Sequence, residues 1–312
     1  MNMTTDTRRR ARPNPGYAVV FAAAIAALTL LAGCQREPEA LAIASGPLET
    51  VQQWYRAADQ DNLSLLLTTL LPPDAMQRIR DGWDEVRSKS AEVDASDRAQ
   101  FVSMMATLTA DDAEAFLYQQ LDPHLTRMET ELASQLPLMA AMGSGFATSS
   151  IQENPQFSEN QKQHATAFIG ALAGWVVGAP LTDRDKARAA IAEVTTTART
   201  MAVADLDQLF ALDFDGLLAK LSLWSASAKT VFALYGLDFD ASLNQARFEL
   251  VSETEDNAVV RISYPLAGTE LSYEQPLVRV DGRWYGADIL RALAEQDGSE
   301  PQPAIGTSSG GQ

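Results

Sequence analysis

Two hydrophobic periods divide this chain, and the point where one gives way to the other limits the folds open to it. From Val51 to about Asn244 apolar residues return every three or four positions. Examples are Val51, Trp54, Tyr55 and Ala58; Met76, Ile79, Trp83 and Val86; Phe101, Met104, Met105 and Leu108; and Ala113, Phe116, Leu117 and Leu121. That spacing stacks side chains along one face of a helix. From Arg247 the pattern shortens to runs rich in Val, Ile, Tyr and Phe: "RFELVSET", "AVVRISYPL", "LSYEQPLVRV" and "RWYGADIL". Turn residues separate them at Glu255-Asp256-Asn257, Gly268 and Asp281-Gly282, and Asp-Gly between two such runs is a strong hairpin signal. The chain therefore predicts an α+β fold: a mainly helical domain ending in an antiparallel sheet of three to four strands, Arg247 to about Ala287, and a short helix.

Local signals set the expected boundaries. Ser45 stands as an N-cap near Pro47, and Leu63 to Leu71 forms a second apolar run stopped by Pro72-Pro73, so a helical hairpin spans 46–73. A helical region follows over 74–244, with breaks expected at Asp122-Pro123, Gly143-Ser144-Gly145 and Asn154-Pro155. The sheet and short helix occupy 245–293. From Ala294, "AEQDGSEPQPAIGTSSGGQ" has almost no bulky apolar residues, and 294–312 is expected to be a disordered tail.

The N-terminus has the three-part layout of an export signal, with Arg8, Arg9, Arg10 and Arg12 ahead of an apolar stretch from Tyr17 to Leu31. Cys34 is the only cysteine, so it has no disulfide partner within the chain. Leu31-Ala32-Gly33-Cys34 resembles the lipobox of bacterial lipoproteins. The resemblance implies cleavage before Cys34, acylation of its sulfur and a membrane anchor, with 1–33 as signal peptide and 34–45 as tether. Gln35 rather than aspartate after the cysteine implies, in that family, passage to the outer membrane, facing the periplasm. Arg9-Arg10 is followed by "RARPNPG" rather than apolar residues, so general export is expected and no prefolded cofactor is implied.

Charge narrows the partners. The chain holds 24 Lys+Arg against 41 Asp+Glu, and removing 1–33 leaves a net charge near −20. Nucleic-acid binding needs a basic surface to displace phosphate counterions, so no nucleic-acid partner is expected. Attraction by charge to anionic lipid is disfavoured for the same reason.

Motifs for chemistry are sparse. The histidines are His124 and His164, without an H-E-x-x-H pair, so no metal site is expected. "ALDFDGLLAKLS" imitates a calcium loop, but Ala211 and Ser222 stand where the first and last ligands belong. Its aspartates, like those of the second "LDFD" at Leu237 to Asp240, read as helix caps. No G-x-S-x-G elbow and no phosphate-binding glycine loop occurs. No catalytic residue and no cofactor is expected.

Two features remain. "ETVQQWYRAADQDNLSLLLTTLLPP" and "VRISYPLAGTELSYEQPLVRVDGRWYGAD" resemble the opening helices and closing strands of NTF2-like cone folds, with 74–244 then a long helical insertion. That resemblance implies a pocket between sheet and first hairpin, lined by Trp54, Tyr55, Tyr264, Tyr273 and Trp284. Trp54 falls where the cone-fold isomerases carry a catalytic tyrosine, which weakens an isomerase reading and leaves Trp54 a core residue. In "FIGALAGWVVGA", Gly170, Gly174 and Gly178 line one helical face, at a cost of roughly 2 to 3 kcal/mol relative to alanine. The segment is expected to be a buried central helix packed closely on "LPLMAAMGSGFA", Leu136 to Ala147; contact between copies and membrane insertion are the alternatives. The leading expectation is a lipid-anchored binding or scaffolding module with an envelope protein as partner. The alternatives are a pocket protein or enzyme of NTF2-like type and a self-assembling envelope component.

Overall fold

The computed structural model describes residues 44–296. Cys34, its lipobox, the signal and residues 297–312 lie outside the described residues. The fold is α+β. Helices α1 (Pro47–Asp59) and α2 (Leu63–Leu70) form the opening hairpin. Then come α3 (Pro73–Ser88), α4 (Ala95–Thr109), α5 (Ala113–Arg127), α6 (Leu136–Glu153), α7 (Glu159–Gly178), α8 (Arg184–Met201), the short α9 (Leu206–Phe210), α10 (Phe214–Leu234) and α11 (Phe239–Asn244). Strands β1 (Arg247–Glu253), β2 (Asn257–Leu266), β3 (Thr269–Val280) and β4 (Arg283–Gly286) close the chain with α12 (Ala287–Gln296).

The sheet is an antiparallel meander in the order β1-β2-β3-β4. On β2 burial alternates strictly: Ala258, Val260, Ile262, Tyr264 and Leu266 are all at most 8 % exposed, as a period of two requires of a sheet with one covered face. Its other face is polar, with Arg261 bridging Glu249 and Glu274 at 2.8 Å each. Asp281 and Gly282 both have positive φ, 50° and 79°, the backbone a two-residue hairpin needs.

On the covered face, Val51, Trp54 and Ala57 of α1 join Leu63 and Leu66 of α2, Leu217 and Leu218 of α10, and Phe239 of α11 in one core with the strands. A smaller cluster of Met105, Ala198, Met201 and Val203 ties α4 and α8 together, with Trp224 of α10 packed against it. The sheet, the α1–α2 layer and the α8–α10 layer thus stack in sequence, each burying the apolar stripe of the next.

Several expected boundaries are corrected. The α1 N-cap is Gly46, not Ser45; Ser45 instead bonds Glu49 through its amide and hydroxyl. Asp122-Pro123 does not break α5, which runs through the proline. There Asp122 is held by Tyr118 and Arg184, and its carbonyl accepts from Thr126 Oγ1 at 3.1 Å. Nor do Gly143-Ser144-Gly145 interrupt α6. Ala294 to Gln296 belong to α12, not to the tail. By contrast, Asp213 and Asp238 cap α10 and α11 as read, accepting from Gly216 and Ala241 amides at 2.8 Å each.

Helix α7 does pack against α6, but it is not a buried central helix. Ala171 is its one fully buried residue, and Gly170, Gly174 and Gly178 are exposed. A Cβ built at any of the three meets no atom within 4 Å. The glycines therefore mediate no close approach within the fold. Gly170→Ala and Gly174→Ala are each expected to stabilise the chain by about 0.5–1 kcal/mol. Urea unfolding checks this, and a loss of stability would mean the glycine face is occupied in solution.

Candidate functional site

The five residues expected to line a pocket divide between the core and an aromatic row. Trp54 is 7 % exposed, with its indole N–H donating to the Thr69 carbonyl at 3.1 Å. Trp284 is 4 % exposed in the same core. These two belong to packing. Tyr264 and Tyr273 meet at His164, and Tyr55 joins them through Tyr273.

His164 comes from α7. The contact of α7 with β3 is fixed by Asn160, whose side-chain amide both donates to the Glu274 carbonyl and accepts from its amide N–H, at 2.6 and 3.2 Å. One helical turn on, the imidazole Nε2 lies 2.9 Å from Tyr264 Oη, and its ring lies 4.3 Å from that of Tyr273. Tyr273 Oη lies 3.4 Å from Tyr55 Oη, and the Tyr55 ring meets Phe248 edge-on at 4.9 Å. The row runs from α7 across β2 and β3 to α1 and β1. Burial pushes the His164 pKa down to about 4 and raises all three tyrosines, so at neutral pH the row is uncharged. It donates and accepts hydrogen bonds but holds no group ready to take up a proton.

At its outer end the row meets solvent. Tyr55 and Phe248, with Gln52, Arg56, Asp59, Leu243, Asn244 and Ala246, line an open groove of about 370 Å³ between α1, α11 and β1. Its rim is fixed by Asn244, which donates to Asp59 Oδ1 at 2.8 Å and to the Asp240 carbonyl at 2.9 Å. Aromatic, amide, guanidinium and carboxylate side chains thus share the lining of one open groove.

Behind α1 lies the other unusual group. Lys229 of α10 is 3 % exposed. Its ammonium pairs with Asp240 of α11, donates to the Ala58 carbonyl at 3.4 Å and lies 3.9 Å from Asp61. Asp61 occupies the α1–α2 turn at φ 54°, and neither of its carboxylate oxygens accepts a hydrogen bond. Burial, partly offset by Lys229 and reinforced by Asp240 and Asp59, pushes its pKa up to about 7. No sequence signal marked this cluster, because Lys229 and Ala58 are 171 residues apart. Among the described residues no group of three or more His, Cys, Asp or Glu is placed to hold a metal ion. Compared with protein-family models, curated proteins and solved structures, the chain matches none.

The two titrating groups oppose each other. Asp61 holds a proton in the folded chain between about pH 4 and 7 that the unfolded chain has released, so its contribution is full below about pH 4 and lost as pH rises through 7. For His164 the folded pKa is the lower one, so its contribution is present above about pH 6.5 and lost as pH falls toward 4. Asp61→Asn should leave stability rising between about pH 4.5 and 6.5, and His164→Gln should leave it falling. Slopes are on the order of 1 kcal/mol per pH unit, with the unsubstituted chain flatter than either. Urea midpoints measured across that range test this; parallel profiles for all three chains would refute it.

Proposed function

We propose that this chain is a periplasm-facing lipoprotein of the outer membrane, anchored at Cys34, whose folded part serves as a binding or scaffolding module toward an envelope protein. The anchor rests on Leu31-Ala32-Gly33-Cys34 behind a basic and then apolar N-terminus. Support for a module rather than a pocket enzyme comes chiefly from one observation: the side chains that would line the interior of a cone are packed on each other, with Trp54 and Trp284 in the core and Tyr264 closed off by His164. A four-stranded meander covered by the α1–α2 hairpin is compatible with an NTF2-like cone carrying α3 to α11 as an insertion, and that kinship is part of the proposal.

A second reading is favoured by the α1–α11–β1 groove. In it the module carries a small ligand against Tyr55 and Phe248.

The anchor makes a direct prediction. Fed an alkyne-bearing fatty acid, cells should label the unsubstituted chain, and that chain should sediment with membranes. The Cys34→Ser chain should lose the label and leave the membrane fraction. An unlabelled or soluble Cys34 chain would sink the lipoprotein reading. For the groove, native mass spectrometry of the exported Cys34→Ser chain should show one added mass per chain that Tyr55→Ala with Phe248→Ala removes. A bare mass favours the protein-binding reading alone.

A further inference from the structure

Helix α6 has no buried residue. Its half-buried positions are Leu136, Ala140, Ser144, Ala147, Thr148 and Ile151, which recur at helical spacing on one side. Four large side chains fall on the opposite side and are strongly exposed: Leu138 65 %, Met139 53 %, Met142 67 % and Phe146 77 %. Between Glu131 and Glu153 the chain carries no Asp, Glu, Lys, Arg or His. Its nearest carboxylates are already engaged within the chain: Glu131 with Arg127, Glu129 with Arg184 and Glu153 with Ser149.

We infer that α6 is the surface by which the domain lies against a lipid bilayer, with Leu138, Met139, Met142 and Phe146 entering the boundary between headgroups and acyl chains. The inference rests on the lipid anchor proposed above. Only about ten residues separate Cys34 from the first described residue, Ala44, and their fully extended reach is about 35 Å. A chain so tethered meets the membrane at an effective concentration on the order of millimolar, so a ridge of four apolar side chains suffices where it would be marginal for a free protein. No helix among the described residues is long and apolar enough to cross a membrane, and a one-sided ridge fits lying on the surface.

A second copy is the weaker occupant. One helix of 18 residues offers a ridge of under about 300 Å², against roughly 800 Å² per partner in stable interfaces. Two acidic copies also repel each other, whereas a bilayer of neutral lipids does not repel either.

Cys34 as the only cysteine permits a test that does not depend on acylation in the cell. The chain from Cys34 onward is coupled through that thiol to a maleimide-headed lipid in phosphatidylcholine vesicles, and amide hydrogen exchange is compared with the free chain. Exchange across residues 138–150 should slow at least about tenfold on tethering. Met142→Asp with Phe146→Asp should abolish the slowing, and Val86→Asp, at an exposed apolar position on α3, should keep it. Equal exchange in free and tethered chains overturns the inference. So does protection already present in the free chain that grows with protein concentration, which would identify a second copy as the occupant. Slowing on vesicles together with failed fatty-acid labelling in cells would retain α6 as a lipid surface and discard the anchor.

Discussion

The ammonium of Lys229 sets where the helices meet. It sits in the C-terminal half of α10 and reaches three separate pieces of chain: the carbonyl of Ala58 at the end of α1, Asp61 in the turn that follows, and Asp240 in α11. Burying a cation costs several kcal/mol unless its partners are well placed, so α1, the α1–α2 turn and α11 are held to one arrangement around it. That arrangement seats Val51, Trp54 and Ala57 against the strands. The lysine has Asp240 and the Ala58 carbonyl as acceptors, whereas Asp61 stays without a hydrogen bond. The raised pKa of Asp61 is the visible remainder of that mismatch.

On the side of α1 facing α7, Tyr55 starts a row of neutral hydroxyls and one imidazole running to His164. Helix α1 is therefore fixed by charge behind and by aromatic hydrogen bonds in front. The second set closes the space that a cone fold would leave open, since α7 delivers His164 and Phe168 against the sheet. Only the end of the row nearest α11 and β1 stays accessible, and this leaves the α1–α11–β1 groove next to Tyr55 and Phe248.

What the sequence disclosed follows from the range over which each signal acts. Strand alternation on β2, the Asp281-Gly282 turn and the aspartate caps at 213 and 238 are local, and all are as the sequence reads. Glycine and proline misled where neighbours override propensity: Pro123 lies within α5, and Gly143 and Gly145 within α6. Spacing correctly paired α6 with α7 but could not tell which faces meet, so the glycines of α7 were assigned to a contact they do not make. Tyr55, Tyr264 and Tyr273 come from the cone-fold resemblance, and in the structure they form a row with His164. The histidine joining them and the Lys229 cluster were not legible, because sequence separations of 100 or more, as between His164 and Tyr264 or Lys229 and Ala58, carry no periodicity.

Helix α6 shows why apolarity and burial are different quantities. An ordinary surface helix turns its large apolar residues inward and its small polar ones to water. Here the middle of the half-buried side is alanine, serine and threonine, with Leu136 and Ile151 only at its ends, while Leu138, Met139, Met142 and Phe146 face out. The inversion is not a shortage of core, because the sheet, α1, α2 and α10 already bury a contiguous apolar interior without any contribution from α6. Small inner residues let α6 lie close along α7, which places its large side chains at the periphery. Single exposed apolar residues are commonplace, but four on one helix, within a stretch that has shed every charge, form a coherent patch. The chain carries 41 Asp+Glu against 24 Lys+Arg, so an uncharged helix face of this kind stands out against a surface on which acidic groups predominate.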